Sequence, residues 1–289
     1  MTALGVAPRL RQTLRQAANA AARAMPRPEV GTRRVILCYH SIHPSVHYSS
    51  ATPDEFDEQL DWLAATCDVV ALEDLVARPN LSGTPQVALT FDDGYADNHT
   101  YALPRLAAHG MTATFFLTAG FLERDADVLG HLTRIWETPL ADLSPLAWSQ
   151  VAEMQDTGMT FGSHSWSHAN LAPLPPAVAE QDMRRAKDVI EARLRAPVDA
   201  IAYPFGKLHH NVSPETFRLA AAAGYTSGYV SLPRAINERD APLRIPRFGV
   251  GNESIASLGA KVRGDIDWHA TVHRHLPRRV SAALFRQYP

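Results

Sequence analysis

The stretch that decides the fold reads VALTFDDGY and occupies residues 87–95 of this 289-residue chain. Apolar residues that favour β-structure lead directly into two adjacent carboxylates, Asp92 and Asp93, and Gly94 then lets the backbone turn. Two buried anions so close are costly unless a cation separates them or one takes a proton, so the pair suggests a metal ligand beside a carboxyl of raised pKa. Taken alone, the stretch is better explained as a plain βα turn with an aspartate as helix N-cap.

The rest of the chain alternates apolar, strand-like segments with amphipathic, helix-like ones. Strands are predicted at residues 35–40, 69–71, 87–91, 112–117, 159–164, 200–203 and 225–230. One helix is predicted to start at Thr52-Pro53, where Glu55 completes a capping box, and another at Ser144-Pro145. Further helices are predicted over residues 96–109, 177–194 and 214–223. Residues 123–143 are predicted to form an irregular lid or rim loop. The alternation predicts an α/β fold, a distorted (β/α) barrel of about seven parallel strands.

Composition excludes several classes of function. The chain is 46% hydrophobic and 20% charged, as ordinary soluble globular proteins are, and its net charge of −2 gives no reason to expect nucleic acid as a partner. Cys38 and Cys67 are expected to be free buried thiols, so no disulfide framework is implied. Since neither an apolar run of transmembrane length nor a secretory signal is visible, we expect a cytoplasmic protein.

The N-terminal residues 1–32 are expected to form a basic helix and linker that precede one catalytic domain over residues 33–289. Residues 7–24 are rich in alanine and arginine and contain no acidic residue. We favour a loosely docked leader helix for this segment. The alternative is a weak contact with an anionic membrane surface or a partner helix, for which the apolar stripe is thin.

A second motif, GSHSWSH at residues 162–168, follows another predicted strand. His164 and His168 can bind one ion if the segment after the strand makes a helical turn. Histidines at this spacing also arise by chance in a chain with 13 of them. One carboxylate and two imidazoles with open positions would suit a hydrolytic zinc site or another divalent first-row metal.

A third motif, AYPFG at residues 202–206, also ends a predicted strand. Pro204 fixes the chain and Gly206 permits an abrupt turn, which can leave the N–H group of Phe205 free to donate to an oxyanion. By itself this motif is better explained as an ordinary turn that ends a strand.

Together the three motifs resemble the polysaccharide deacetylases of carbohydrate esterase family 4, which share the NodB homology domain. The resemblance rests on TFDDG at 90–94, SHSWSH at 163–168 and YPFG at 203–206, and TATFF at 112–116 also fits. It extends over roughly residues 33–250, and the first two motifs are highly specific in combination.

The resemblance implies that Asp93, His164 and His168 bind a divalent metal and that Asp92 is the catalytic base. Zinc is the first choice of metal, with Co²⁺ or another first-row ion as alternatives. The implied reaction is hydrolysis of the N-acetyl (N-acyl) group of an amino sugar in a glycan or glycoconjugate. We expect the N–H group of Phe205 to stabilise the tetrahedral oxyanion.

The sequence departs from the family pattern in two places. The arginine that usually opens the third motif and holds the catalytic aspartate is replaced by Ala202, so Arg247 from a later strand is the candidate to supply that charge. The Leu-x-His motif that usually supplies the catalytic acid is not recognisable. His40 is the first candidate for the acid, ahead of the pair His209-His210.

The roles of three aromatic residues and the exact activity each have alternatives. The aromatic residues Tyr39, Trp166 and Tyr203 either line a sugar groove or pack in the core. Because of the two departures, a catalytically inactive glycan-binding relative remains an alternative. Because of the basic N-terminal helix, so does a deacylase or deformylase of a lipid-linked sugar.

Overall fold

The structure, a computed structural model, describes residues 30–45, 50–139 and 144–267. The predicted helix over residues 7–24 lies outside these ranges. In the described ranges, no helix is both long and apolar enough to span a membrane.

Parallel strands form the centre of the molecule. They are β1 Arg34–Tyr39, β2 Asp68–Val69, β3 Gln86–Phe91, β4 Ala113–Leu117, β5 Thr160–Ser163, β6 Ala200–Ala202, β7 Ser227–Ser231 and β8 Ile245–Gly249. Pairing runs in the order β1-β8-β7-β6-β5-β4-β3, and β3 pairs again with β1, which closes a ring of seven strands. The predicted seven-stranded parallel barrel is therefore confirmed.

One of the seven strands in the ring is not the one that was predicted. The segment predicted at 69–71 is the two-residue β2, which pairs only with the start of β3 at Gln86 and Val87 and stays outside the ring. The seventh place is taken by β8, which lies between β7 and β1.

Helices surround the barrel. They are α1 Pro53–Thr66, α2 Leu72–Ala77, α3 Leu103–Ala108, α4 Ala119–Leu122, α5 Ala126–Ile135, α6 Trp148–Asp156, α7 Pro176–Leu194, α8 Pro214–Ala222 and α9 Ile255–Arg263. A short 3₁₀ helix covers Val30–Thr32, and a π-helix covers Asn98–Ala102.

The first helix begins as its sequence predicts. The side chain of Thr52 accepts a hydrogen bond from the N–H group of Glu55 at 3.3 Å, and the Glu55 carboxylate accepts one from the Thr52 N–H group at 2.8 Å. This is the predicted capping box, with Pro53 as the first helical residue. The helix buries Phe56 and Leu60 against the barrel.

Alternate strand residues pack on opposite sides of the barrel wall, as the two-residue period of a strand requires. One face packs beneath the helices and includes Leu37, Leu89 and Phe115. The other forms a smaller apolar cluster that includes Ile36, Ala88, Phe116, Ala202, Tyr229 and Ile245. Because six strands of the ring contribute to it, this second cluster fills the interior of the barrel.

Two predictions for the middle of the chain were wrong. Residues 126–135 form the helix α5 instead of an irregular loop; the Asp125 side chain caps it, and Val128 and Leu132 face the core. The helix expected from Ser144-Pro145 begins only at Trp148. Its predicted first turn is extended because Pro145 forms a β-bridge with Tyr95.

The helix predicted over residues 96–109 is not a regular α-helix. It opens with the π-helix Asn98–Ala102 and becomes α-helical only in α3. Pro104 has no N–H group and cannot make the bond that a regular helix would place on the carbonyl of Thr100, which favours a wider turn there. Gly110, with φ of 63°, ends the segment as expected.

Candidate metal centre and catalytic pocket

The candidate site lies at the end of the barrel where the strands finish, which we call the mouth. Asp92 and Asp93 follow β3, and His164 follows β5. The N–H group of Asp92 donates to the carbonyl of Tyr39 at 2.9 Å, so the strand register continues into the site and places His40 beside the carboxylate pair. The parallel sheet therefore brings distant stretches of sequence together at one edge.

Three of the predicted residues form a buried cluster of ligand atoms. The carboxylate oxygen Oδ1 of Asp93 lies 3.4 Å from Nε2 of His164 and 3.2 Å from Nε2 of His168. All three side chains are buried, and Asp93 Oδ1 accepts no hydrogen bond from the described residues. A buried carboxylate oxygen of this kind needs a partner, and one metal ion could bind it together with the two ring nitrogens beside it.

The orientation of His164 suits metal binding. Its Nδ1 lies 2.7 Å from the carbonyl oxygen of Ala202. Since a carbonyl only accepts, Nδ1 carries the proton and Nε2 presents a lone pair. Burial lowers the pKa of His164 to about 4, so the ring is neutral at neutral pH. The cluster fits a divalent metal of the first transition row.

The two histidines do not meet through the helical turn that the sequence predicted. Ser165 and His168 have φ of 66° and 57°, so the motif is a tight loop with left-handed residues. The Ser165 hydroxyl accepts the N–H group of His168 at 3.1 Å, and Asp182 on α7 accepts that of Trp166 at 2.9 Å. Side-chain acceptors therefore hold the strained loop in place.

Asp92 is held by an arginine from the other end of the sequence. Nη1 and Nη2 of Arg247 each donate to one carboxylate oxygen of Asp92 at 2.7 Å, and Nη1 also lies 3.2 Å from the Thr90 hydroxyl. Burial alone would raise the pKa of Asp92, but the Arg247 charge and, next, His164 lower it below its usual range. The prediction of a raised pKa was therefore wrong for Asp92, because a cation is available to pair with it.

A thiol and an imidazole also lie beside Asp92. Cys38 donates to Asp92 Oδ2 over 3.3 Å, and burial raises the pKa of this thiol, which keeps its proton. One ring nitrogen of His40 lies within 4.8 Å of Cys38 Sγ and of a carboxylate oxygen of Asp92. Sequence reasoning missed Cys38 as a site residue. The alternation of side chains along a strand could have identified it, since Cys38 lies two residues after Ile36 and therefore on the same, interior face of β1.

Phe205 lies next to His168 of the candidate ligand cluster, in an unusual backbone conformation. Its φ is 61°, its side chain is 42% exposed, and its ring packs edge-on against His168 with 4.9 Å between centroids. Within the described residues its N–H group takes part in no hydrogen bond, while Gly206 donates to the carbonyl of Pro204. These are the features that a free backbone donor at the site requires.

The aromatic residues at the mouth differ from those that the sequence suggested. Tyr39, Trp166 and Tyr203 are buried in the core, so of the two alternatives for these residues the structure supports core packing over a sugar groove. Trp136, which follows α5, instead packs its half-buried ring against His168 at 5.5 Å. Trp136 and Phe205 therefore flank the same histidine.

The candidates for a catalytic acid separate by position. His209 and His210 are exposed on the loop after β6, beyond Gly206. His40 is partly buried, and the side chain of Asp92 lies beside it. The geometry therefore favours His40.

Comparisons with known proteins identify the family of the chain. The family model described as polysaccharide deacetylase matches residues 81–228. YxkH of Bacillus subtilis (strain 168), which is named after this family, is 28% identical over 204 residues, covering 69% of this chain and 65% of YxkH. The match thus spans just under two thirds of the length of that relative.

Solved structures show the same fold. The Streptococcus pyogenes deacetylase PplD, in complex with acetate, is 25% identical with a TM-score of 0.66, over 80% of this chain and 99% of PplD. IcaB from Ammonifex degensii is 24% identical with a TM-score of 0.66, over 81% of this chain and 98% of IcaB. The family match covers just over half of the chain and includes all three motifs. The chain therefore belongs to the polysaccharide deacetylase family.

Proposed function

We propose that this protein is a divalent-metal-dependent hydrolase that removes the acetyl group from the nitrogen of an amino sugar in a glycan or glycoconjugate. The observation that carries the proposal is the ionised carboxylate of Asp92 beside the ligand cluster of Asp93, His164 and His168. An amide hydrolase of this type needs a base that is not itself a ligand, and Arg247 keeps Asp92 apart in that role.

Asp93, His164 and His168 are the residues that would hold the metal, with zinc as first choice and cobalt as the alternative to test. When bound, such a metal supplies Lewis acidity, which polarises an amide carbonyl and lowers the pKa of water from 15.7 to about 7. The hydrogen bond from His164 to Ala202 keeps the ligating ring in one tautomer and orientation.

Asp92 accepts the proton of the attacking water. Arg247 fixes the carboxylate through both oxygens, and Cys38 also donates to Oδ2, so Oδ1 is the oxygen that retains a lone pair for the proton. Because its pKa is low, the carboxylate is ionised throughout the neutral range and ready to accept. The base is thus positioned before substrate arrives.

His40 and Phe205 complete the reaction. The tetrahedral oxyanion accepts a hydrogen bond from the Phe205 N–H group. His40 donates a proton to the sugar nitrogen, because an amine leaves an amide only when it is protonated. Acetate and a free amino sugar are the products.

The positions of Trp136 and Phe205 favour a small acyl group, which is released as the carboxylate product. Their rings flank His168 and present apolar surface beside the ligand cluster. The acetate in the complex of PplD is a product of this size.

The alternative of a lipid-linked sugar at a membrane surface is supported by the basic residues 7–24 alone. Such a sugar is therefore one of the substrates to assay. Liposome binding by protein with and without residues 1–28 tests the membrane contact.

The test is acetate release from N-acetylglucosamine oligomers by metal-stripped protein to which Zn²⁺, Co²⁺ or nothing is added. We expect release only with metal, and its loss in Asp92→Asn. Glycan binding without release by the metal-loaded protein would instead support the inactive, glycan-binding alternative.

A further inference from the structure

The π-helix that follows the two aspartates has no role in the mechanism above. It begins at Asn98, whose side chain is fully buried. Single π-helical turns are rare, and they are frequent at functional sites because they move a side chain out of regular helical register. The question is therefore what Asn98 contacts.

Asn98 holds the backbone of His40. Its Nδ2 donates to the His40 carbonyl at 2.8 Å and to Oδ1 of Asp97 at 2.9 Å. Asp97 in turn accepts the hydroxyl of Ser41 at 2.5 Å and the N–H group of Ile42 at 3.3 Å. The two side chains thus bind three successive residues at the end of β1.

A second buried side chain binds the other backbone group of His40. The N–H group of His40 donates to the hydroxyl of Ser50 at 2.8 Å, and Ser50 is fully buried. Nδ1 of the His40 ring is itself buried and has no hydrogen-bond partner among the described residues. No hydrogen bond through Nδ1 therefore orients the ring, and the contacts to the His40 backbone determine the position from which the imidazole extends.

We propose that Asn98 and Ser50 are positioning residues that hold His40 at the distance from Asp92 that proton donation to the leaving amine requires. The proposal rests on the proposed function, in which His40 is the acid. Displacement of a catalytic group by about 1 Å can cost a factor of about 100 in rate, so a backbone clamp on the acid has a kinetic consequence.

The test compares leaving groups. An N-acetylglucosamine oligomer needs a proton on its leaving nitrogen, whereas 4-nitrophenyl acetate releases a stable phenolate and needs none. We expect Asn98→Ala to lower kcat on the oligomer by about 10- to 100-fold, with KM within about threefold, and the ester rate to change by less than about twofold. Ser50→Ala removes only a hydroxyl and should show the same selectivity if Asn98→Ala fails to fold.

Asn80 offers a matched control. It is also a buried asparagine, and its Nδ2 donates to the backbone carbonyls of Gly31, Arg33 and Thr84 at the opposite end of the barrel. Asn80→Ala should reduce stability without changing the ratio of amide to ester rates. An effect of general destabilisation would appear in both variants.

Two further measurements separate the inference from the proposed function. In a His40→Ala background, Asn98→Ala should cost nothing more on the oligomer, and an additional tenfold loss would overturn the positioning role. His40→Ala with full amide activity would instead refute His40 as the acid. Independently of activity, the ring NMR signals of His40, assigned with His40→Ala, should shift in Asn98→Ala and not in Asn80→Ala; unchanged signals would contradict the clamp.

Discussion

Arg247 binds both carboxylate oxygens of Asp92 at 2.7 Å across a separation of 155 residues in sequence. The two side chains come from β8 and from the end of β3, on either side of β1 in the closed ring. The guanidinium also lies 5.3 Å from the ring of Phe116 in the barrel interior. The charge that the third motif lacks at Ala202 therefore reaches the base from another strand.

Arg247→Met should impair catalysis and stability together. Without its cation, Asp92 is a buried unpaired carboxylate and its pKa rises, so we expect kcat/KM to fall by about 100-fold at pH 7 and its acidic limb to move to higher pH. Breaking a buried pair costs about 3–5 kcal/mol in the free energy of unfolding. Rate–pH profiles and denaturant unfolding measure the two effects.

Arg247→Lys is the control for charge alone. A lysine keeps the cation but cannot bind both oxygens, so we expect the pH profile to stay near that of the parent protein and the rate to fall by about 10-fold. A Lys variant with the same shifted profile as Arg247→Met would contradict the electrostatic role.

Asp93→Ala and Asp92→Asn should separate metal binding from proton transfer. Asp93→Ala removes a ligand, so we expect metal content and acetate release to be lost together; His164→Ala should behave in the same way. Asp92→Asn keeps the ligand cluster and removes the base, so metal content should stay and turnover should fall by at least about 100-fold. Elemental analysis together with the acetate assay distinguishes loss of the metal from loss of the base. Full activity of Asp92→Asn would refute the role of Asp92 as the base.

Much of the mouth could be predicted from local sequence. Asp92 and Asp93 follow the apolar strand β3 and His164 follows β5, and parallel strands bring their carboxyl ends to one edge, so the motifs converge without any knowledge of packing. The capping box at Thr52 and Glu55 is likewise a short-range pattern with a single structural reading.

The rest depended on how the ring closes. Arg247 was the candidate to hold Asp92, but the contact itself requires β8 to pair with β1, and no local pattern in the sequence predicts that pairing. The position of Trp136 against His168 depends on α5, a helix that was not predicted although Val128 and Leu132 have helical spacing. The loop of His164 to His168 was misread because its left-handed residues are not glycines.

Phe205→Ala should affect substrate binding more than the chemical step. The substitution removes the exposed ring but keeps the backbone N–H group, so we expect KM for N-acetylglucosamine oligomers to rise by about 3- to 10-fold and kcat to stay within about threefold. Trp136→Ala tests the opposite side of His168 in the same way. A fall of 100-fold in kcat with unchanged KM would show that these rings position His168 instead of the sugar.

Asp97 gives the fold a pH dependence of unusual sign. Burial raises its pKa to about 6, although the hydroxyl of Ser41 and then the N–H group of Ile42 oppose the rise. An acid whose pKa is raised on folding stabilises the folded state below its unfolded pKa, and this contribution is lost as the pH rises through the folded value. For a pKa that rises from 3.8 to about 6 on folding, the free energy of unfolding lost by neutral pH is about 3 kcal/mol.

Asp97→Asn should remove this dependence, because an amide does not titrate. We expect the stability of the parent protein relative to Asp97→Asn to decline between about pH 4 and pH 6.5, and to stay level above pH 7. Urea unfolding of both proteins across that range measures the difference, which cancels the titration of groups that the two share. A difference that rises with pH would mean that the carboxylate, and not the protonated acid, is the form that the Ser41 and Ile42 contacts stabilise.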